Sequence, residues 1–243
     1  MAGEVLRVVD VWKRFGGVQA LRGVSLSVGE GERVAVIGPN GSGKTTLFNV
    51  ITGFVKPDQG RVYVCGVDVT GEPPYRVAAR GVARTFQLVK PFKGMTVLEN
   101  VVAAALSRTG SVEEAEEEAR RVLDMVGLSG KAGVRAELLN LPEKKRLELA
   151  RALALRPRIL LLDEVMAGLR PREIEFIVGL LKRLSREEGV AVVVVEHVLK
   201  AVSMVAERVV VLHHGLKIAE GAPEEVMRDE RVREAYIGPM SLG

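Results

Sequence analysis

Hydrophobic positions along this chain follow two rhythms. Unbroken apolar runs, most of them rich in β-branched residues, occupy 34–37, 159–162, 191–195 and 209–212. Runs of four or five such residues read as strands covered on both faces, the signature of a parallel sheet. Further strands are predicted at 5–11, 21–28, 61–65, 82–86 and 217–220, with Trp12 to Gly17 breaking the first and a turn at His213-His214-Gly215 preceding the last. Helical spacing appears at 44–52, stopped by Gly53 in the usual C-cap place, and a short helix follows Pro73-Pro74 to about Arg80.

From 88 to 156 the pattern turns wholly helical. Thr96 with Glu99 forms a capping box for a helix to about Ser107, and Ser111 with Glu114 opens another. In that second helix Val112, Ala115, Ala119, Val122 and Val126 keep helical spacing, and Gly127 ends it. Its acidic positions Glu113, Glu114, Glu116, Glu117 and Glu118 read as a solvated face. A third helix starts near Pro142 and ends before Pro157. Strand and helix then alternate again, with an amphipathic helix at 172–185 and terminal helices at 223–228 and 232–236. The expectation is an α/β fold. It has a mainly parallel sheet, an antiparallel β layer made by the early strands, and an inserted α-helical lobe. All of 1–243 reads as one domain, with a core lobe at 1–87 and 157–243 and a helical lobe at 88–156.

The strand at 33–37 runs into Gly38-Pro39-Asn40-Gly41-Ser42-Gly43-Lys44-Thr45, which fits G-x-x-x-x-G-K-[ST] at every required position. Strand, glycine loop and helix are the setting of a phosphate-binding loop. The glycines turn backbone N–H groups inward around phosphate oxygens, and the helix N-terminus adds positive partial charge. Gly38, Asn40, Gly41, Ser42, Gly43, Lys44, Thr45 and Thr46 are therefore the candidate nucleotide-binding set, with ATP and Mg²⁺ the expected ligands. Lys44 would reach the β- and γ-phosphates and the Thr45 hydroxyl would sit on Mg²⁺. The core is thus a P-loop NTPase core.

Hydrolysis also needs a metal carboxylate and a group that orients water. The apolar strand at 159–162 delivers Asp163 and Glu164 at its C-terminal end, where open parallel sheets place their ligands. Asp163 suits a metal ligand, and Glu164 is placed to accept a proton from attacking water.

With these residues in place the chain resembles the nucleotide-binding subunit of an ATP-binding cassette (ABC) transporter over essentially its whole length. The resemblance implies that Gln87, in Arg84-Thr85-Phe86-Gln87, senses Mg²⁺ and γ-phosphate and links to membrane subunits. It implies that His197, in Glu196-His197, contacts γ-phosphate, and that Phe15 stacks on adenine. His213 and His214 carry no partner motif and read as surface turn residues. The stretch from Pro91 to Val101 and the tail from Ile218 to Gly238 resemble importers of branched-chain amino acids. Related cassettes for urea or for lipopolysaccharide export share parts of both.

The pattern breaks at the family signature Leu-Ser-Gly-Gly-Gln, where this chain has Leu139-Asn140-Leu141-Pro142-Glu143. In the family this loop offers a serine hydroxyl and N–H groups to the nucleotide of the opposite subunit. Asn140 can still cap the helix. Pro142 has no N–H to give, and Glu143 brings negative charge towards phosphate. Val165, Arg170 and Val198 are further departures. The resemblance therefore implies integral membrane permease subunits, a second cassette ATPase subunit (a heterodimer favoured over a homodimer) and, indirectly, an extracellular solute-binding protein. A subunit that binds nucleotide with little hydrolysis is the alternative the broken signature raises. A cassette acting on nucleic acid or ribosomes is disfavoured, because those usually carry tandem cassettes or long coiled-coil inserts.

Composition adds little to this picture. The 243 residues are 47% hydrophobic and only 4% aromatic, so aliphatic packing must dominate the core. No run approaches the ~18 apolar residues of a membrane span, and no signal peptide precedes the first strand. A cytoplasmic protein, peripheral on the inner face of the membrane, is expected. The net charge of +4 is spread among acids with no basic tract, so no nucleic-acid partner is expected. A single cysteine, Cys65, excludes an internal disulfide. Four asparagines and three glutamines beside abundant Arg, Glu and Lys resemble a thermophile's usage.

Overall fold

In the computed structural model, residues 3–87, 90–197 and 199–237 are described. Val198 and Gly238, both cited above, lie outside them. Among the described residues ten strands form two sheets. The first is antiparallel, in the order β2 (Val18–Gly29), β1 (Glu4–Phe15), β4 (Gln59–Val64) and β5 (Val67–Asp68). The second has the order β10 (Leu216–Gly221), β9 (Arg208–His213), β3 (Arg33–Ile37), β8 (Ala191–Val195), β7 (Ile159–Asp163) and β6 (Val82–Arg84). Its four pairings from β9 to β6 are parallel, and β10 joins antiparallel through the hairpin from β9.

The unbroken apolar runs have a direct explanation. Successive side chains on a strand point to opposite faces, and here each face meets a different core. Leu160, Leu162, Val192 and Val194 pack with the helices α3 (Val97–Ala105), α4 (Val112–Met125), α5 (Leu141–Leu153) and α6 (Pro171–Glu187). Ile159, Leu161, Val193 and Val195 pack with the antiparallel sheet and α1 (Lys44–Ile51). All five residues of β3, β7 and β8 are buried. Short helices α2 (Pro74–Ala79), α8 (Pro223–Val226) and α9 (Glu230–Ile237) complete the chain with α7 (Leu199–Val205).

Three expectations are corrected, and one element is added. The first strand does not break at Trp12. It bulges at Asp10, whose φ is 47°, and continues to Phe15 because Asp58 grips its far end through Arg14 N–H at 2.7 Å and Lys13 Nζ at 2.8 Å. The strand expected to reach Phe86 ends at Arg84, because the Phe86 N–H leaves the sheet to donate to Glu148 on α5 at 2.6 Å. Glu118 is not part of a solvated face. It is 4% exposed and accepts from Arg121 at 2.6 Å and Arg156 at 2.8 Å. The helix α7 stands where the sequence pattern predicts no element, with its Ala201, Val202 and Val205 buried.

Candidate functional site

The glycine loop closes between β3 and α1, and two of its glycines are required by close backbone neighbours. A Cβ on Gly38, at φ 149°, would lie 2.1 Å from the Leu212 carbonyl; one on Gly43, at φ 110°, would lie 2.5 Å from that of Ala20. The β9–β10 turn braces the loop. Gly215 N–H donates to Ser42 O at 3.0 Å, and Arg22 N–H on β2 donates to Gly215 O at 2.8 Å. The turn at 213–215, read from sequence as plain surface, is thus a structural support of the loop.

Lys44 folds back over the loop and is buried. Its ammonium donates to the carbonyls of Gly38 at 2.7 Å and Pro39 at 2.9 Å. Burial lowers its pKa, while the carboxylates of Glu164 and Asp163 pull the other way and favour the charged form. A cavity of about 500 Å³ opens in front of the loop. Asn40, Gly41, Ser42, Gly43, Lys44, Thr45 and Thr46 line it, joined from other elements by Val18, Ala20, Gln87, Glu164 and His197. Phe15 does not line it; it sits 48% exposed at the β1–β2 turn, opposite Val18, with the Lys13 ammonium 5.4 Å above its ring.

The carboxylate pair follows β7. Asp163 is 4% exposed; its N–H donates to Thr85 Oγ1 at 3.2 Å and its Oδ2 accepts from Arg84 at 2.8 Å. Glu164 departs from the strand at φ 52°, a left-handed conformation that costs a non-glycine residue on the order of 1–3 kcal/mol. That turn aims its side chain into the cavity. Gln87 Nε2 donates to Glu164 Oε2 at 2.8 Å, and His197 Nε2 lies 2.8 Å from Oε1. Three predicted site residues from three separated strand ends therefore meet at one carboxylate.

The stretch Asn140 to Glu143 stands elsewhere. Asn140 caps α5 by accepting Glu143 N–H at 3.0 Å, and Glu143 accepts Asn140 N–H at 3.0 Å in return. Lys131 pairs with the other Glu143 oxygen and, with the Asn140 N–H, holds its carboxyl below the usual range. Leu141 is half exposed, and none of these four residues lines the cavity at the glycine loop.

Sequence reasoning missed Arg84, Lys145 and Glu196 as site residues. Arg84 joins Asp163 to Asn49 on α1, at 2.8 and 2.6 Å. Lys145 is 7% exposed, and Glu196, fully buried, accepts Met166 N–H at 2.7 Å. Burial pushes the Glu196 carboxyl up to about 7. For Arg84 and Glu196 the available signal was a charged residue directly after an apolar run; Lys145, between Lys144 and Arg146, carried none.

A glycine loop at the end of a central parallel strand, facing a carboxylate pair from the same sheet, defines a P-loop nucleotide hydrolase. The chain belongs to the ABC transporter family, whose model matches residues 21–167, and is an ATP-binding cassette ATPase of that family. The model of the branched-chain amino acid ATP-binding cassette transporter matches residues 217–238. The chain is 38% identical to the high-affinity branched-chain amino acid transport ATP-binding protein BraF of Pseudomonas aeruginosa, over 98% of this chain and 99% of that protein. It is 36% identical to LivG of Escherichia coli, which carries the same description, over the same shares. The ADP conformation of an ABC transporter cassette superposes with a TM-score of 0.89 at 37% identity, covering 98% of this chain and 100% of that one. A dimeric cassette in a post-hydrolysis state, bound to ADP and Pi, superposes at 0.82 and 31% identity, covering 90% and 98%.

Proposed function

We propose that this chain is the ATP-hydrolysing subunit of an importer for branched-chain or other hydrophobic amino acids. The observation that carries the catalytic reading is the meeting of Gln87 and His197 on the Glu164 carboxylate, across the cavity from Lys44. In this reading Lys44 and the loop N–H groups hold the β- and γ-phosphates, and Phe15 offers an exposed ring to the adenine. The donor set fits Mg²⁺. Thr45, Gln87 and Asp163 are oxygen donors, and among the described residues no cluster of three or more His, Cys, Asp or Glu forms a full protein cage. A magnesium site built from one carboxylate plus nucleotide phosphates needs no such cage. When bound, the ion neutralises charge on the transferring phosphate. Glu164 takes the proton of the attacking water, and His197 and Gln87 orient its two oxygens.

The whole chain acts as one cassette domain in this reading. Its partners are permease subunits in the membrane, reached from the cytoplasmic side; among the described residues no helix is long and apolar enough to cross a membrane itself. An apolar cleft of about 260 Å³ in the core lobe, walled by Phe54, Tyr75, Val77 and Phe86 and bordered by Leu155 of the helical lobe, supports that docking. Tyr75 and Phe54 are 69% and 55% exposed there. A binding protein outside the membrane would deliver the solute to those permeases. The amino-acid solute is supported by the match of 217–238 and by the names of the relatives above. The sparse Asn and Gln support a thermophilic source.

The unequal motifs support pairing with a second, different cassette. At the start of α5 Pro142 has no N–H and that of Glu143 is already taken by Asn140, so Leu141 alone has one to offer a partner's nucleotide. The test is Glu164→Gln in the assembled transporter, measured as phosphate release. The expected result is a loss on the order of 10²–10⁴-fold with ATP affinity kept. Turnover equal to the parent would favour the regulatory reading, in which another subunit supplies hydrolysis.

A further inference from the structure

Glu164 carries its side chain into the cavity only because its backbone turns left-handed, and such a turn persists where the surroundings hold it. The segment that follows, Glu164 to Ala167, is gripped from two directions by buried charged side chains. From α5, Lys145 Nζ donates to the carbonyls of Glu164 at 2.8 Å and Ala167 at 2.7 Å. From the end of β8, Glu196 Oε1 accepts Met166 N–H at 2.7 Å. Val165 and Met166 are themselves buried in the helical-side core. The two gripping side chains are 7% and 0% exposed and attract one another across the turn.

We infer that Lys145 and Glu196 form a clamp that positions the Glu164 carboxylate and ties it to the first turns of α5. Neither touches the cavity at the glycine loop; both act through backbone atoms of the turn. The clamp also gives the degenerate signature a connection to this chain's own site. Lys145 lies one turn beyond Asn140 to Glu143, the stretch that would face a partner's nucleotide, so a displacement of that helix end pulls directly on the Glu164 carbonyl. One helix would then report the state of the partner's site to the carboxylate of this one. This inference rests on Glu164 being the residue that takes the proton from water, and the test separates the two.

The first measurement is amide hydrogen exchange on the full chain without nucleotide, which needs no catalytic reading. Lys145→Met removes the donors at similar length, and Glu196→Leu removes the acceptor. Each should speed exchange of the Met166 and Ala167 amides about tenfold, the factor for one lost hydrogen bond in a local opening. Exchange in β3, far from the turn, should stay at the parent rate. Glu196→Gln keeps an acceptor oxygen and should match the parent. Unchanged exchange at Met166 and Ala167 in both Lys145→Met and Glu196→Leu, or equal acceleration in β3, overturns the clamp.

The second measurement is phosphate release by the assembled transporter. Lys145→Met and Glu196→Leu should lower kcat on the order of 10²-fold, the size of a misplaced catalytic group. KM for ATP should stay within about twofold, since uniform binding is untouched, and Glu196→Gln should recover most of the rate. A parent-like kcat in both variants, in a preparation that Glu164→Gln silences, overturns the positioning role. If Glu164→Gln leaves turnover intact, the reading of Glu164 fails and takes the positioning role with it, while the clamp still stands or falls on exchange.

Discussion

Arg84 Nη2 lies 2.8 Å from Asp163 Oδ2, with the two side chains 6% and 5% exposed. The same guanidinium donates to Asn49 on α1 at 2.6 Å and stands 5.4 Å from the Phe48 ring centroid and 5.1 Å from that of Phe86. One side chain thereby joins the helix behind the glycine loop, the strand leading to Gln87 and the strand that delivers the carboxylates. Removing one partner of a buried pair strands the other charge without water, at a cost of about 3–5 kcal/mol. Arg84→Met is expected to lose that much in urea unfolding, and adding Asp163→Asn to the same chain is expected to recover a large part of it.

Gly38 and Gly41 both sit in the glycine loop but answer to different constraints. A Cβ at Gly38 meets the Leu212 carbonyl at 2.1 Å and Ser42 Oγ at 2.7 Å; one at Gly41, φ 77°, meets nothing within 4 Å. Gly41→Ala should therefore cost only its left-handed conformation, about 1–2 kcal/mol. Gly38→Ala must push β3 and β9 apart and should abolish nucleotide binding. Titration with a fluorescent ATP analogue, alongside thermal unfolding, distinguishes the two.

The purified chain alone should release phosphate slowly, because two copies can offer each other only the stretch Asn140 to Glu143. Mixing with a second cassette subunit that carries an intact signature is expected to raise the rate. Pro142→Gly restores an N–H and should raise the rate of the isolated chain as well. A regained hydrogen bond to a charged group, about 1.5–3 kcal/mol, corresponds to roughly a 10- to 100-fold gain. Brisk turnover by the unaltered chain alone, abolished by Glu164→Gln, would contradict the need for a partner.

Stability should depend on pH through Glu196. Burial raises its carboxyl from 4.5 to about 7 in the folded protein, opposed by the Met166 N–H and Lys145 and reinforced by Glu164. The folded state therefore holds this proton more tightly than the unfolded chain. Its contribution is complete below about pH 4.5 and is lost as pH rises through 7. The loss is on the order of 3 kcal/mol, from 1.36 kcal/mol per pH unit. Urea midpoints measured from pH 5 to 8 should fall across this window, and Glu196→Gln should flatten the fall.

Sequence alone determined the parts of this protein whose causes are local. The glycine loop, the apolar runs of β3, β7 and β8, the caps of α3, α4 and α5, and Asp163-Glu164 at a strand end are all written in adjacent residues. Resemblance of short motifs added Gln87, His197 and Phe15, and the breaks in the signature were visible as Pro142 and Glu143. What the tertiary structure decided is which distant residues meet. Gln87, Glu164 and His197 follow three different strands, and nothing in their separate neighbourhoods says that two would hold opposite oxygens of the third. Trp12 to Phe15 continue a strand because Asp58 reaches them from another loop, and Glu118 is buried because Arg156 arrives 38 positions later to meet it. Lys145 looks like an ordinary surface charge in the chain, and Arg84 and Glu196 show only that a charge follows an apolar run. Only packing removes them from water, and a charge removed from water must find a partner.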